Sequence, residues 1–306
     1  MWSIAHRQGI KPPCRDYWAF CDLVVMRGDQ RNADLDEMNE RFFRWAELIQ
    51  SSPDAVENAV KSVLGGGYRH CNLTLQEVRF NPMKRNRSGE RDLDHIIQSA
   101  IWGAEQAIQE YPQVRAGLIL MMDREFDVSL NTIIVEKAIK FRDRGVIGVD
   151  VGGPDRKSFS IREHAHLFDM ARDAGLGLTA HTGETHDSLD ELRFVVREIK
   201  PDRIGHGIQC VQDESLMADI AEQGIVLETC PTSNLKNSVV ADIAELRRIY
   251  TDLLTHQVPF TVNTDGPVMY ESDLLAEQQL LMRHGILTQA QIDQCTRQAF
   301  DATFIK

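Results

Sequence analysis

The run GLTAHTGE (177–184), SLDELRFVVREIK (188–200) and DRIGHGI (202–208) decides the fold. The first and third pieces are short apolar runs closed by Gly and polar residues, as buried strands are; the middle piece repeats apolar residues at helical spacing behind Ser188. Two buried strands joined by a helix make a parallel βαβ unit. Outward from it the alternation recurs. VRAGLILMMD (114–123), GVIGVDVGG (145–153), GIVLETCP (224–231) and VPFTVNTDGP (258–267) read as further strands, and NLTLQEVRFNP (72–82) as an earlier one. SFSIREHAHLFDMARDAG (158–175) reads as another amphipathic helix opening near a Ser cap, and residues 33–65 carry a long helical periodicity.

A βα series of seven strands either closes toward an eight-stranded barrel or spreads into an open doubly wound sheet. Barrel chemistry sits at the C-terminal ends of several strands, and His181, Glu184, His206 and Asp265 all fall at such ends. No GxGxxG or GKS loop follows any strand, which counts against the open dinucleotide-binding sheet. The expected fold is α/β, a (β/α)8 TIM barrel with its first strand missing, forming a single domain over residues 1–306. The two strands flanking the gap should expose unpaired edges unless the N-terminal segment covers them.

The 306 residues carry 34 Lys+Arg against 46 Asp+Glu, and a net charge of −12 opposes phosphate-backbone binding, so no nucleic-acid partner is expected. The short basic cluster Lys84, Arg85 and Arg87 reads as a solvated loop. Six scattered cysteines without a CxxC pair point to neither a thiolate zinc cluster nor a disulfide scaffold, and imply a reducing compartment. No run approaches the roughly 20 apolar residues that span a bilayer, so no membrane partner and a cytoplasmic location are expected.

Two histidines and two carboxylates at neighbouring strand ends are the donor set of a metal hydrolase, with zinc the best fit. Each alone has a plainer reading, His206 as a core histidine and His181 and Glu184 as turn polars. Their co-occurrence with Asp265 behind a buried apolar run, where an unpaired carboxylate is costly, favours a site.

AHTGE (180–184), RIGHG (203–207), LETCPTSN (227–234) and NTDGP (263–267), in this order, resemble the adenosine deaminase family of zinc aminohydrolases, and GVDVGGPD (148–155) is similar to that family's substrate loop. The resemblance implies that His181 and Asp265 ligate one zinc per chain. It implies Glu184 as proton donor to purine N1, His206 as the group that orients the attacking hydroxide, Asp265 as acceptor of its proton, and the Gly153 backbone as a contact to the purine ring. The implied reaction is hydrolytic deamination of a 6-aminopurine nucleoside, adenosine first, to the 6-oxopurine and ammonia. Deamination of adenine or another 6-aminopurine derivative is the alternative within enzymes; a non-catalytic nucleoside-binding barrel is the alternative outside them.

Two departures stand out. The family carries an HxH pair at the end of its first strand, supplying two further zinc ligands, and this chain lacks that strand. His164-Ala-His166 is no substitute, because positions i and i+2 of a helix point about 200° apart. Gly266 stands where many members have a second Asp facing the purine imidazole, so the preferred purine is open. Glu228 and Asn234 read as structural residues and Cys230 as an inert buried thiol.

Overall fold

A computed structural model describes residues 1–32, 34–86, 92–154 and 158–306. Arg87 of the basic cluster, Asp155 of the 148–155 segment and Ala33 of the N-terminal helical stretch lie outside the described residues.

All seven expected strands form: β1 (Leu75–Phe80), β2 (Arg115–Asp123), β3 (Val146–Gly152), β4 (Gly177–Thr182), β5 (Arg203–His206), β6 (Val226–Thr229) and β7 (Phe260–Val262). They lie in one parallel sheet in sequence order. Helices such as Leu93–Glu110, Val128–Lys140, Ile161–Asp173 and Glu214–Gln223 make the crossovers, so both faces of the strands are buried and their apolar runs are nearly continuous. β1 and β7 are the two edges, and among the described residues no strand joins them. The architecture is a (β/α)8 barrel lacking one strand.

The N-terminal segment spans the gap at the C-terminal end of the strands. Met26 and Phe42 pack with Met269 and Tyr270 behind β7, and the Met26 N–H donates to the Met269 carbonyl at 2.7 Å. On the other side, Ser51 donates to the Lys84 carbonyl at 3.3 Å and the Arg85 guanidinium lies over Phe43, both behind β1. This bridge consists of helices and loop, and among the described residues no strand pairs with the outer edge of β1 or β7.

Three local expectations need correction. The 33–65 periodicity is broken at Ser52, whose side chain caps a new helix, Pro53–Cys71, with proline in its first turn. Ser160 and Ser188 stand at helix starts as expected, but their side chains do not cap; the Ser188 hydroxyl turns back to the Thr185 carbonyl. Arg85 is buried and Lys84 is paired, not solvated: its side chain is 10% exposed and its ammonium is 2.8 Å from both Asp123 and Glu125. Among the described residues no helix is long and apolar enough to cross a membrane.

Candidate active site

The strand ends place the expected residues on one rim. His181 is the penultimate residue of β4, His206 the last of β5, and Gly153 directly follows β3; Glu184 and Asp265 lie just beyond β4 and β7. In the β4–β5 register His181 faces Gly205 and Thr182 faces His206. A Cβ built on Gly205 would lie 2.8 Å from the His181 ring, so the glycine of RIGHG is what makes room for the imidazole. Gly153 sits at φ +102° with the Asp123 carboxylate 3.1 Å from where a Cβ would be, so a side chain there is excluded both by backbone and by space.

His206 and Asp265 have φ of 62° and 53°, in the left-handed region, which helix-ending residues such as Asn72 and Lys200 also adopt in this chain. The two imidazoles stand edge to face, 5.5 Å between centroids. His206 Nε2 is 3.5 Å from Glu184 Oε2. Asn234, read from the sequence as structural, belongs to this cluster: its Nδ2 is 3.1 Å from His206 Nδ1 and donates to Glu184 Oε1 at 3.3 Å. Asp265 is held from the same helix, Pro231–Lys236, by Ser233, whose hydroxyl donates to Oδ2 at 2.7 Å.

Beneath His181 lies a charge pair the sequence analysis missed. Asp150 of β3, fully buried, places Oδ2 2.8 Å from His181 Nδ1 and 2.9 Å from Arg79 Nη1. Burial pushes the Asp150 carboxyl up, but His181 and Arg79 outweigh it and hold the group well below the carboxylate range. Burial likewise lowers His181, yet the Asp150 charge prevails and raises it. Glu228, read from the sequence as structural, is buried against Arg79 at 2.6 Å and Arg203 at 2.8 Å. Cys230 is buried, and its burial drives the thiol far above its ordinary value, which disfavours the thiolate. The rejected histidine pair separates as expected: His164 is buried with Nδ1 2.8 Å from the Ser160 carbonyl, while His166 is exposed.

The donor set does not make a catalytic zinc site by itself. Among the described residues no group of three or more His, Cys, Asp or Glu is placed to hold a metal ion. His181 is engaged by Asp150 and Asp265 by Ser233, whereas catalytic zinc takes three protein ligands.

A parallel barrel with histidines and carboxylates gathered at the C-terminal ends of its strands has the layout in which barrel enzymes place their chemistry. A family model described as adenosine deaminase matches residues 1–306, and the chain belongs to that family. It is 35% identical over 228 residues to an aminodeoxyfutalosine deaminase of Acidothermus cellulolyticus, a match covering 71% of this chain and 61% of that protein. It is 26% identical over 309 aligned positions to an adenosine deaminase of Shewanella denitrificans, covering 100% and 89%. A B. ambifaria amidohydrolase solved with bound zinc superposes with a TM-score of 0.80 at 22% identity, covering 100% of this chain and 81% of that one.

Proposed function

We propose that the chain is built for hydrolytic deamination of a 6-aminopurine nucleoside, with adenosine the first substrate to test. The cluster of Glu184, His206 and Asn234 carries this reading. A carboxyl group facing an imidazole, both fixed by one amide, is an arrangement for moving a proton at a heteroaromatic ring. In the proposed reaction water adds its oxygen to purine C6 and gives up a proton to Asp265. Glu184 protonates N1, His206 orients the water, and the Gly153 backbone lies against the ring. Asp265 then passes its proton to the amino group and the C6 hydroxyl proton returns to Glu184, so that the C6–N bond breaks, ammonia leaves and the 6-oxopurine remains.

His181 and Asp265 are the two donors this chain offers to a zinc ion, one per chain, and that ion needs at least one more. The second reading is a barrel that binds a purine nucleoside without turnover. Gly266 leaves the purine itself open: where a family Asp would stand, its Cβ would meet Met269 Cε at 2.5 Å, so apolar side chains occupy that side. Adenine and other 6-aminopurine derivatives therefore remain alternative substrates. The partner is a small purine molecule, nucleic acid being opposed by the net charge of −12, and six unpaired cysteines support a cytoplasmic location.

The purified chain, supplied with zinc, is offered adenosine, adenine and adenosine carrying a larger 5′ substituent while ammonia is measured, and inosine binding is followed by calorimetry. Ammonia release abolished by Glu184→Gln supports the deaminase. Inosine binding without ammonia moves the conclusion to the binding barrel, and absence of both overturns the purine reading.

A further inference from the structure

Thr303 and Phe304 pack at the floor of the barrel, where β3 and β4 begin. On β3 and β4, residues Gly148 and Gly177 share the inward faces of Asp150 and His181, because alternate strand residues point the same way. The Phe304 ring fills the notch these glycines leave: a Cβ on Gly148 would lie 2.9 Å from it. The Arg203 guanidinium covers the ring at 3.6 Å. Thr303 Oγ1 and the Phe304 N–H donate to Glu77 at 2.7 and 2.6 Å.

From this anchor a continuous chain of charges climbs to the rim. Glu77 binds Arg203 at 2.5 Å, Arg203 binds Glu228 at 2.8 Å, and Glu228 binds Arg79 at 2.6 Å. Arg79 binds Asp150 at 2.9 Å, and Asp150 meets His181 at 2.8 Å. Gly177 and His181 are roughly 13 Å apart along β4. Each carboxylate in the ladder is shared between at least two partners, so none can turn without unseating a neighbour.

We propose that Arg79 is a positioning residue of the site, fixing Asp150 and through it the His181 ring, and that the C-terminal Thr303–Phe304 segment sets this ladder from the barrel floor. The proposal rests on the reading of His181 as a site residue. It explains why interior strand positions hold a six-membered run of paired polar groups in place of apolar side chains, an arrangement that serves geometric specification and not stability.

The test is the side-chain nitrogen–proton NMR spectrum of the histidines in the whole chain, with the His181 signal assigned by its loss in His181→Asn. Arg79→Gln and Phe304→Ala should both shift the His181 ring signal, while Arg79→Lys, which keeps one contact, shifts it less. Where Arg79→Gln fails to fold, Arg79→Lys and Phe304→Leu carry the comparison. An unmoved His181 signal in folded Arg79 variants overturns the proposal. A signal that moves with Arg79 but not with Phe304 overturns the role of the tail. Inosine titration separates the underlying reading: if His181→Asn binds inosine as the parent does while Arg79→Gln still moves the ring, the site reading fails and the ladder stands.

Discussion

Asn234 Nδ2 lies 3.1 Å from His206 Nδ1, and the same amide reaches Glu184 Oε1 at 3.3 Å. With the amide donating, Nδ1 accepts, so the neutral ring carries its proton on Nε2, the nitrogen facing Glu184 Oε2 at 3.5 Å. One side chain thereby sets both the orientation and the tautomer of His206.

Asn234→Ala leaves the buried Nδ1 without a partner and should cost about 1–3 kcal/mol of stability. Asn234→Asp places an acceptor against an acceptor and a second negative charge beside Glu184, and should weaken inosine binding more than the alanine variant does. Thermal melts and calorimetric titration of both variants check this; equal binding by the aspartate variant and the parent would remove Asn234 from the site.

Much of this was legible from pattern. The strands were readable because most are short, largely apolar runs closed by Gly or Pro, and the rim residues because strand ends are where barrel chemistry lies. Asn234 was missed because LETCPTSN looks like a capping turn; only the fold of Pro231–Lys236 across the rim brings the amide to His206. Arg79 and Asp150 left a clearer trace. A charged residue inside QEVRF or GVDVG has no place in a buried strand unless it is paired, but the partner lies on another strand, and pairing between β1, β3 and β6 is a three-dimensional fact. The basic loop was misread for the same reason, since the carboxylates that pair with Lys84 come from the end of β2 and the turn after it.

Gly205→Ala tests the steric basis of the His181 position. The added methyl would sit 2.8 Å from ring carbons, and the ring's other side is already held by Asp150. The expected outcome is a loss of about 1–3 kcal/mol from overpacking, together with weaker inosine binding. A fully stable variant with unchanged binding would show that the ring has room to move.

The response to acid follows from carboxyl groups held ionised. Burial opposes ionisation of Glu228, but Arg79 and Arg203 outweigh it and hold the group below its ordinary 4.5. Asp213 is held at about 2, against an ordinary 3.8, by Arg193 and then by Ser215, while it caps the helix Glu214–Gln223. A depressed folded value means the stabilisation is full above the unfolded value and is lost as pH falls toward the folded one. The melting temperature should therefore hold near neutrality and fall once pH drops below about 4.5. Glu228→Gln should remove part of that acid slope while costing about 3–5 kcal/mol at neutral pH, because Arg79 and Arg203 lose a shared partner. A melting temperature that rises on acidification through this window would contradict the assignment.

Thiol accessibility divides the cysteines in two. Cys14, Cys21 and Cys71 are partly exposed, whereas Cys210, Cys230 and Cys295 are buried; burial pushes Cys210 up to about 12 and Cys295 to about 11. Since the thiolate is the reacting species, native protein at mild alkaline pH should label at no more than the first three, and unfolded protein at all six. Rapid native labelling of Cys210 or Cys230 would mean that β5 and β6, whose ends they follow, open to solvent far more readily than their burial allows.

Zinc content is the sharpest check on the donor count. His181 and Asp265 alone supply two of the three protein ligands of a catalytic zinc, and each is already engaged, by Asp150 at 2.8 Å and by Ser233 at 2.7 Å. To take a metal, Asp265 must share or surrender the Ser233 hydrogen bond, and His181 must offer the nitrogen that does not face Asp150. The chain, loaded with zinc and then dialysed against metal-free buffer, should retain well under one zinc per molecule by elemental analysis. Ser233→Ala, which frees Asp265 Oδ2, should retain more than the parent, and His181→Asn less. Stoichiometric zinc in the dialysed parent would show that further donors join these two, and the hydrolytic reading would then prevail over the binding barrel.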